Sequence, residues 1–185
     1  MNKSARCRTV FLLFMPLLLA ASCKKDKLAD ELSKLPPATQ TGANTFGCLV
    51  NGKAWVPQGG CFLCPSVLKF YYYNDNKGEF SISATRKSGS IHEFVSLGVT
   101  HITQKKEYQF PLDTLKGGCS FLDFQLQTSC GNFNSRQLGT TLSGTIRFTK
   151  RDLNVGILSG IFDLQIAKPN CGTITLTNGR FDAKL

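Results

Sequence analysis

The feature that most constrains this chain is a period of two in its apolar residues, which begins at Phe46 and continues to Leu185. Phe162, Leu164 and Ile166, for example, alternate with Asp163 and Gln165. Successive side chains of a β-strand point to opposite faces, so this period predicts half-buried strands. No stretch after residue 45 has a convincing helical period.

Tight turn signals separate these alternating runs. Asn51-Gly52 and Asn178-Gly179 are each the dipeptide that most strongly favours a two-residue hairpin turn. Many short strands joined by tight turns are typical of antiparallel sheets. The sequence therefore predicts an all-β fold, an antiparallel β-sandwich or a small up-and-down barrel of roughly 9–11 short strands.

The N-terminus has the layout of a secretory signal. Lys3, Arg6 and Arg8 precede an apolar run over 10–21, which is too short to cross a ~30 Å hydrocarbon core. Small residues and Cys23 follow it, and the sequence Ala-Ala-Ser-Cys resembles a bacterial lipobox. That resemblance implies a lipoprotein signal peptide over 1–22 and acylation of Cys23. Acyl chains on Cys23 would attach the protein to a membrane.

The segment 23–45 is predicted to be the acylated cysteine followed by a flexible tether, and 46–185 to be a single antiparallel β domain. The residue after Cys23 is Lys24, not the aspartate typical of inner-membrane retention, so we expect a lipid-anchored protein of the outer membrane. The sequence leaves open whether the domain faces the periplasm or the cell surface.

The charge of the chain does not favour a nucleic-acid partner. The formal net charge is +10, but the basic residues are scattered and their longest runs are pairs such as Lys105-Lys106. Nucleic-acid binding needs a clustered basic stripe. We expect a solvated basic surface and no nucleic acid.

Six cysteines remain once Cys7 and Cys23 are set aside. An even number in an exported protein predicts disulfides, and the six candidates are Cys48, Cys61, Cys64, Cys119, Cys130 and Cys171. The favoured local pair is Cys119 with Cys130. Cys61 and Cys64 form a CxxC, which leaves two alternatives open: a redox-active dithiol, or a zinc site completed by Cys119 and Cys130.

Two stretches carry a family resemblance. LPPATQTGANTFGCLVNGKAW at 35–55 and LSGTIRFTKRDLNVGILSGIFDLQI with TLTNGRFDAKL at 142–185 resemble an uncharacterised lipoprotein family of Bacteroidota. The resemblance covers about half of the chain after the signal and implies an envelope β protein. It implies no activity.

Few residues suggest chemistry. His92 and His101 are nine positions apart and would point to opposite faces of one strand. We therefore predict no catalytic residue, no metal site and no cofactor. The run Phe70-Tyr71-Tyr72-Tyr73 must place two rings on each face of a strand. Tyr71 and Tyr73, together with Trp55, are the candidate aromatic surface for stacking on sugar rings.

The sequence thus favours a non-enzymatic binding or structural module whose partner is a glycan or another envelope protein. Inhibition of a lysozyme-type muramidase belongs to the same hypothesis. The alternatives are a hydrolase with paired carboxylates, which must lie about 5–9.5 Å apart, and a thiol oxidoreductase that uses Cys61 and Cys64.

Overall fold

The computed structural model describes residues 27–60, 66–74, 77–126 and 128–185. Residues 27–33 are helical, and the rest of the described chain is mainly β-structure. Its eleven strands are β1 (Thr45–Val50), β2 (Lys53–Trp55), β3 (Leu68–Tyr73), β4 (Glu79–Ser88), β5 (Ile91–Thr100), β6 (Glu107–Phe110), β7 (Gly117–Asp123), β8 (Asn132–Asn134), β9 (Thr141–Asp152), β10 (Ile157–Lys168) and β11 (Gly172–Lys184). Single 3-10 turns cover Thr114–Lys116 and Ser129–Gly131.

The strands form two antiparallel sheets that pack face to face. The six-stranded sheet has the order β2-β1-β11-β10-β9-β6, and the five-stranded sheet has the order β3-β4-β5-β7-β8. The predicted all-β fold is confirmed, and of the two predicted architectures the structure has the sandwich.

The alternating sequence explains the packing of both sheets. In β4, Phe80, Ile82 and Ala84 are buried, whereas Ser81 and Ser83 lie on the other face. The buried rings of Phe80, Phe148 and Phe181 meet between the sheets with centroids 5.4–5.9 Å apart. Burial of each large apolar side chain contributes about 1.5–3 kcal/mol, and this interior provides most of the stability.

The two predicted Asn-Gly turns have different outcomes. Asn51 and Gly52 have φ of 48° and 78° and join β1 to β2, as predicted. Asn178 and Gly179 instead lie inside β11, so the second predicted hairpin is wrong. Asn178 has φ of 50°, but Gly179 pairs with Phe162 of β10 across a register shift, which is a β-bulge.

The segment before β1 is docked, and the predicted flexible tether is wrong for its described part. The Glu31 carboxylate accepts a hydrogen bond from the backbone N–H of Ala54 at 2.6 Å, and Leu35 is buried. Residues 39–43 surround the carboxylate of Asp182, a residue of β11 with only 1% of its surface exposed. The segment therefore contacts the domain from Glu31 onward.

Among the described residues, no helix is long and apolar enough to cross a membrane.

Candidate functional site

The outer face of the five-stranded sheet carries a floor of very small residues. β4, β5 and β7 place Ser81, Ser83, Ser96, Gly98, Gly118 and Ser120 there, and we call these six residues the serine floor. Their sequence neighbours Ile82, Leu97 and Cys119 point into the core, so the alternation of each strand fixes the floor on the outside. Such positions on an exposed sheet face usually hold larger polar residues.

A groove of about 310 Å³ lies over this floor. Glu79 lies at the β4 side, and Asn134, Ser135 and Arg136 lie beyond β7. Ser135 is held by the backbone of Cys119, whose N–H donates to Ser135 Oγ at 2.9 Å and whose carbonyl accepts from the Ser135 N–H at 3.0 Å. The walls of the groove are thus attached to the sheet that forms its floor.

Tyr71 and Tyr73 lie beside the groove, on the edge strand β3. Tyr71 pairs with Ser81 and Tyr73 pairs with Glu79, and both rings are exposed, Tyr73 by 59%. Phe70 and Tyr72 point the other way and pack against the core. The expected division of these four rings between the two faces is correct.

Trp55 does not belong to this surface, and its assignment to the aromatic platform is wrong. It is fully buried, and its Nε1–H donates to Glu93 Oε2 at 2.8 Å. Arg86 pairs with the same carboxylate at 2.5 Å and lies 5.6 Å from the centre of the indole ring. The indole therefore joins the two sheets, because the buried N–H finds an acceptor in the opposite sheet.

The cysteines differ from the favoured local pairing. Cys130 is bonded to Cys171, which joins the 3-10 turn after β7 to the β10–β11 connection. Cys48 and Cys119 are free and buried, so the Cys119–Cys130 pair is wrong. Burial raises the pKa of the Cys119 thiol to about 12, and burial together with the nearby Cys119 raises the pKa of Cys48. Cys23, Cys61 and Cys64 lie outside the described residues.

The described residues hold no cluster of three or more side chains that could bind a metal. His92 stacks on Phe124 with ring centroids 4.3 Å apart, whereas His101 Nδ1 lies 2.8 Å from Thr100 Oγ1. The two histidines therefore contact different residues. Among the described residues that line the groove, Glu79 is the single carboxylate. A pair of carboxylates for hydrolysis is not assembled at this groove by the part of the chain described.

Comparison of the chain with protein-family models, with curated proteins and with solved structures found no match. The serine floor, the groove residues beside it (Glu79, Asn134, Ser135 and Arg136) and the two exposed tyrosines are the features from which a function is proposed below.

Proposed function

We propose that this chain is an envelope lipoprotein whose β domain binds carbohydrate through the groove over the serine floor. The observation that carries the proposal is the position of two exposed tyrosines, Tyr71 and Tyr73, beside a floor of hydroxyl groups. The binding is non-enzymatic, and the partner is a glycan of the envelope or of its surroundings.

The serine floor suits a ligand rich in hydroxyl groups. Each serine hydroxyl can donate one hydrogen bond and accept two, and a sugar hydroxyl has the same capacity. Ser81, Ser83, Ser96 and Ser120 point along one continuous face, so several hydroxyls of one sugar can be bound together. The small side chains leave the ring of a sugar free to approach the sheet.

The tyrosines provide the apolar half of the site. A sugar ring has an apolar face of C–H groups, and an exposed tyrosine offers a flat ring with a polar tip. Edge strands often carry charged residues outward, as β3 does at Lys69, but its next two outward positions are the exposed rings of Tyr71 and Tyr73.

We therefore expect the double substitution Tyr71→Ala with Tyr73→Ala to weaken glycan binding about tenfold or more. Each lost aromatic contact removes about 0.5–1.5 kcal/mol, and 1.4 kcal/mol corresponds to a factor of ten. The measurement is binding of the full chain, purified in detergent, to a glycan array, followed by titration calorimetry with each retained glycan.

Phe124→Ala is the matched control, because Phe124 is an exposed ring that does not line the groove. It should bind like the unmodified chain. Retention of no glycan on the array would contradict carbohydrate binding, and equal binding by the double variant would place the site elsewhere.

The anchor follows from the lipobox resemblance at Cys23 and remains a prediction. Eight residue steps separate Cys23 from Glu31, the first described residue that contacts the strands. At no more than about 3.3–3.6 Å per residue, the anchor would hold the domain within roughly 30 Å of the lipid surface. An acylated Cys23 would thus present the groove close to the membrane.

Cys23→Ser is expected to move the protein from the membrane fraction to the soluble fraction, because the serine hydroxyl does not take the diacylglyceryl group. The check is fractionation of cells with and without the substitution, followed by mass measurement of the N-terminal peptide. Ser22→Ala is the control and should stay in the membrane fraction. Membrane retention of the Cys23→Ser variant would remove the anchor from the proposal.

A further inference from the structure

Gly98 lies at the centre of the serine floor, and the fold itself does not require a glycine there. It is in the interior of β5, between Ser81 of β4 and Gly118 of β7, and its φ is not in the left-handed region. A Cβ at this position would lie 3.6 Å from the Cβ of Ser81, an ordinary van der Waals contact. Glycine weakens a strand, and in a strand interior it often marks the close approach of a ligand.

Gly118 is small for a different reason. A Cβ there would lie 2.9 Å from Ser135 Oγ and 3.5 Å from Arg136 Nε, so the missing side chain leaves room for Arg136 to extend over the floor. The backbone N–H of Arg136 donates to Asn134 Oδ1 at 2.9 Å, which fixes the turn that presents it.

The charge of Arg136 is not neutralised within the described ranges. Its side chain is exposed, and no described carboxylate forms an ion pair with it. Glu79 lies on the far side of the floor, two strand intervals from Gly118 and two residues further along β4, which together give about 12 Å. The groove therefore has a cationic end and an anionic end.

We propose that the groove selects an acidic glycan, with a sugar ring over Gly98 and its anionic group paired with Arg136, whose side chain covers Gly118. This inference rests on the proposed carbohydrate binding and names the class of ligand. The guanidinium presents parallel N–H groups that match the two oxygens of a carboxylate, and such charge-assisted pairs are the stronger hydrogen bonds. Glu79 repels an acidic group at the opposite end, so the ligand has one orientation.

The experiment is titration calorimetry of the full chain in detergent with three pairs of probes, each an acidic sugar and its uncharged counterpart. The probes are trigalacturonate and trimannuronate, the methyl ester of each, and a sulfated galactose trisaccharide with its unsulfated form. The unmodified chain is expected to bind at least one acidic probe ten times more tightly than its uncharged counterpart. The uronates and the sulfated sugar distinguish a carboxylate from a sulfate as the anion.

Substitutions at two residues separate recognition of the anion from contact with the ring. Arg136→Ala should abolish the preference for the acid and leave binding of the ester unchanged, and Arg136→Lys should retain part of the preference. Gly98→Val should weaken acid and ester alike by tenfold or more, whereas its midpoint of thermal unfolding should be unchanged or higher, because valine favours a strand. Thr149→Val, on the exposed face of the other sheet, is the control and should change neither.

Equal binding of acid and ester by the unmodified chain, or binding of neutral glycans alone on the array, would overturn the selection of acidic glycans and leave carbohydrate binding in place. Unchanged binding by Gly98→Val would overturn the position of the ring. Failure of every acidic and neutral glycan would remove the proposed function together with this inference.

Discussion

Replacement of Asp182 by asparagine is expected to lower the free energy of unfolding by about 2–4 kcal/mol, since several charge-assisted hydrogen bonds lose their acceptor. Asp182 Oδ2 accepts hydrogen bonds from Thr39 Oγ1 at 2.6 Å and from the backbone N–H groups of Thr41 and Ala43. Oδ1 accepts from the N–H of Gly42 at 2.9 Å and from Ser159 Oγ at 2.7 Å.

Asparagine keeps the shape of the side chain but turns one acceptor oxygen into a donor. That NH₂ group would face at least two N–H or O–H donors, which are left without a partner in a site almost closed to water. The backbone of the segment 39–43 would then lose the contact that holds it against β10 and β11. We therefore expect the substitution to lower the free energy of unfolding of the whole domain and also to loosen the segment 39–43 itself.

The measurements are chemical unfolding for the free energy and hydrogen exchange for residues 39–43. Asp30→Asn is the control, because Asp30 is an exposed partner of Lys34 and such surface pairs contribute about 0–1 kcal/mol. Equal stability of the Asp182 and Asp30 variants would contradict the anchoring role of Asp182.

The same site gives an acid-dependent stability. Burial alone would raise the pKa of Asp182, but the hydrogen bonds from Thr39, Ser159 and the backbone N–H groups of Ala43 and Gly42 outweigh it and hold the pKa well below its usual range. The pKa is thus lower in the folded state, so the stabilisation is complete above the unfolded pKa of about 3.9 and is lost as the pH falls below it. The Asp182→Asn variant should lose this part of the acid dependence.

Asp182 also shows why sequence reasoning could predict the strand but not the role of its residues. Phe181, Ala183 and Leu185 form an apolar series, and Asp182 falls on the opposite, solvent-facing side of that pattern. The side is assigned correctly, but residues 39–43 cover it. The covering segment lies 140 residues away in the chain, and no local pattern records that contact.

The groove was only partly predictable for a similar reason. The outward position of Tyr71 and Tyr73 follows from strand alternation alone. The burial of Trp55 depends on Glu93 in the other sheet, which the period of β2 does not reveal. A usable signal did exist for the floor: the outward positions in Ser-Ile-Ser-Ala and Ser-Leu-Gly-Val, residues 81–84 and 96–99, are all small instead of charged.

A local pattern also argues against the predicted Cys119–Cys130 disulfide. Cys119 shares its strand face with Phe121, and both are buried, so the alternation of β7 places this thiol in the core. Sequence proximity favoured Cys130, which lies outside the strand. The partner of Cys130 is Cys171, 41 residues later, because the sandwich brings the two connections together.

The apolar pattern around the second Asn-Gly dipeptide also indicates an irregularity in β11. Leu176 is inward in β11, and so are Phe181 and Ala183, so the inward positions change from even to odd between them. A turn or a β-bulge can produce that change. In the structure the change is a bulge, because β10 pairs with β11 on both sides of the dipeptide, from Ile157 to Lys168.

Gly179→Ala is expected to destabilise the domain by about 2–3 kcal/mol through overpacking. A Cβ on Gly179 would lie closer than 3.0 Å to three atoms of the Phe162 ring, which belongs to its cross-strand partner. Phe162 is itself buried and stacks on Phe46 with ring centroids 5.6 Å apart, so the ring has little space to move away.

Gly98→Ala is the matched control, because Gly98 is also a strand glycine without a left-handed φ but has room for a Cβ. Relative to glycine, alanine there should be neutral or stabilising by up to about 1 kcal/mol. Chemical unfolding should therefore show a clearly lower free energy of unfolding for Gly179→Ala, and an unchanged or higher one for Gly98→Ala. A similar effect of both substitutions would mean that backbone freedom, not the Phe162 ring, determines the result.

A double-mutant cycle identifies the ring as the cause. In a Phe162→Leu background the same Gly179→Ala change should cost at least 1 kcal/mol less, since coupling energies between contacting residues are about 0.5–3 kcal/mol. Additive effects would instead assign the loss to the bulge at Asn178. Without the bulge, Asn178 and not Gly179 would pair with Phe162. The cycle therefore tests whether the glycine that the bulge places opposite Phe162 is needed because of that ring.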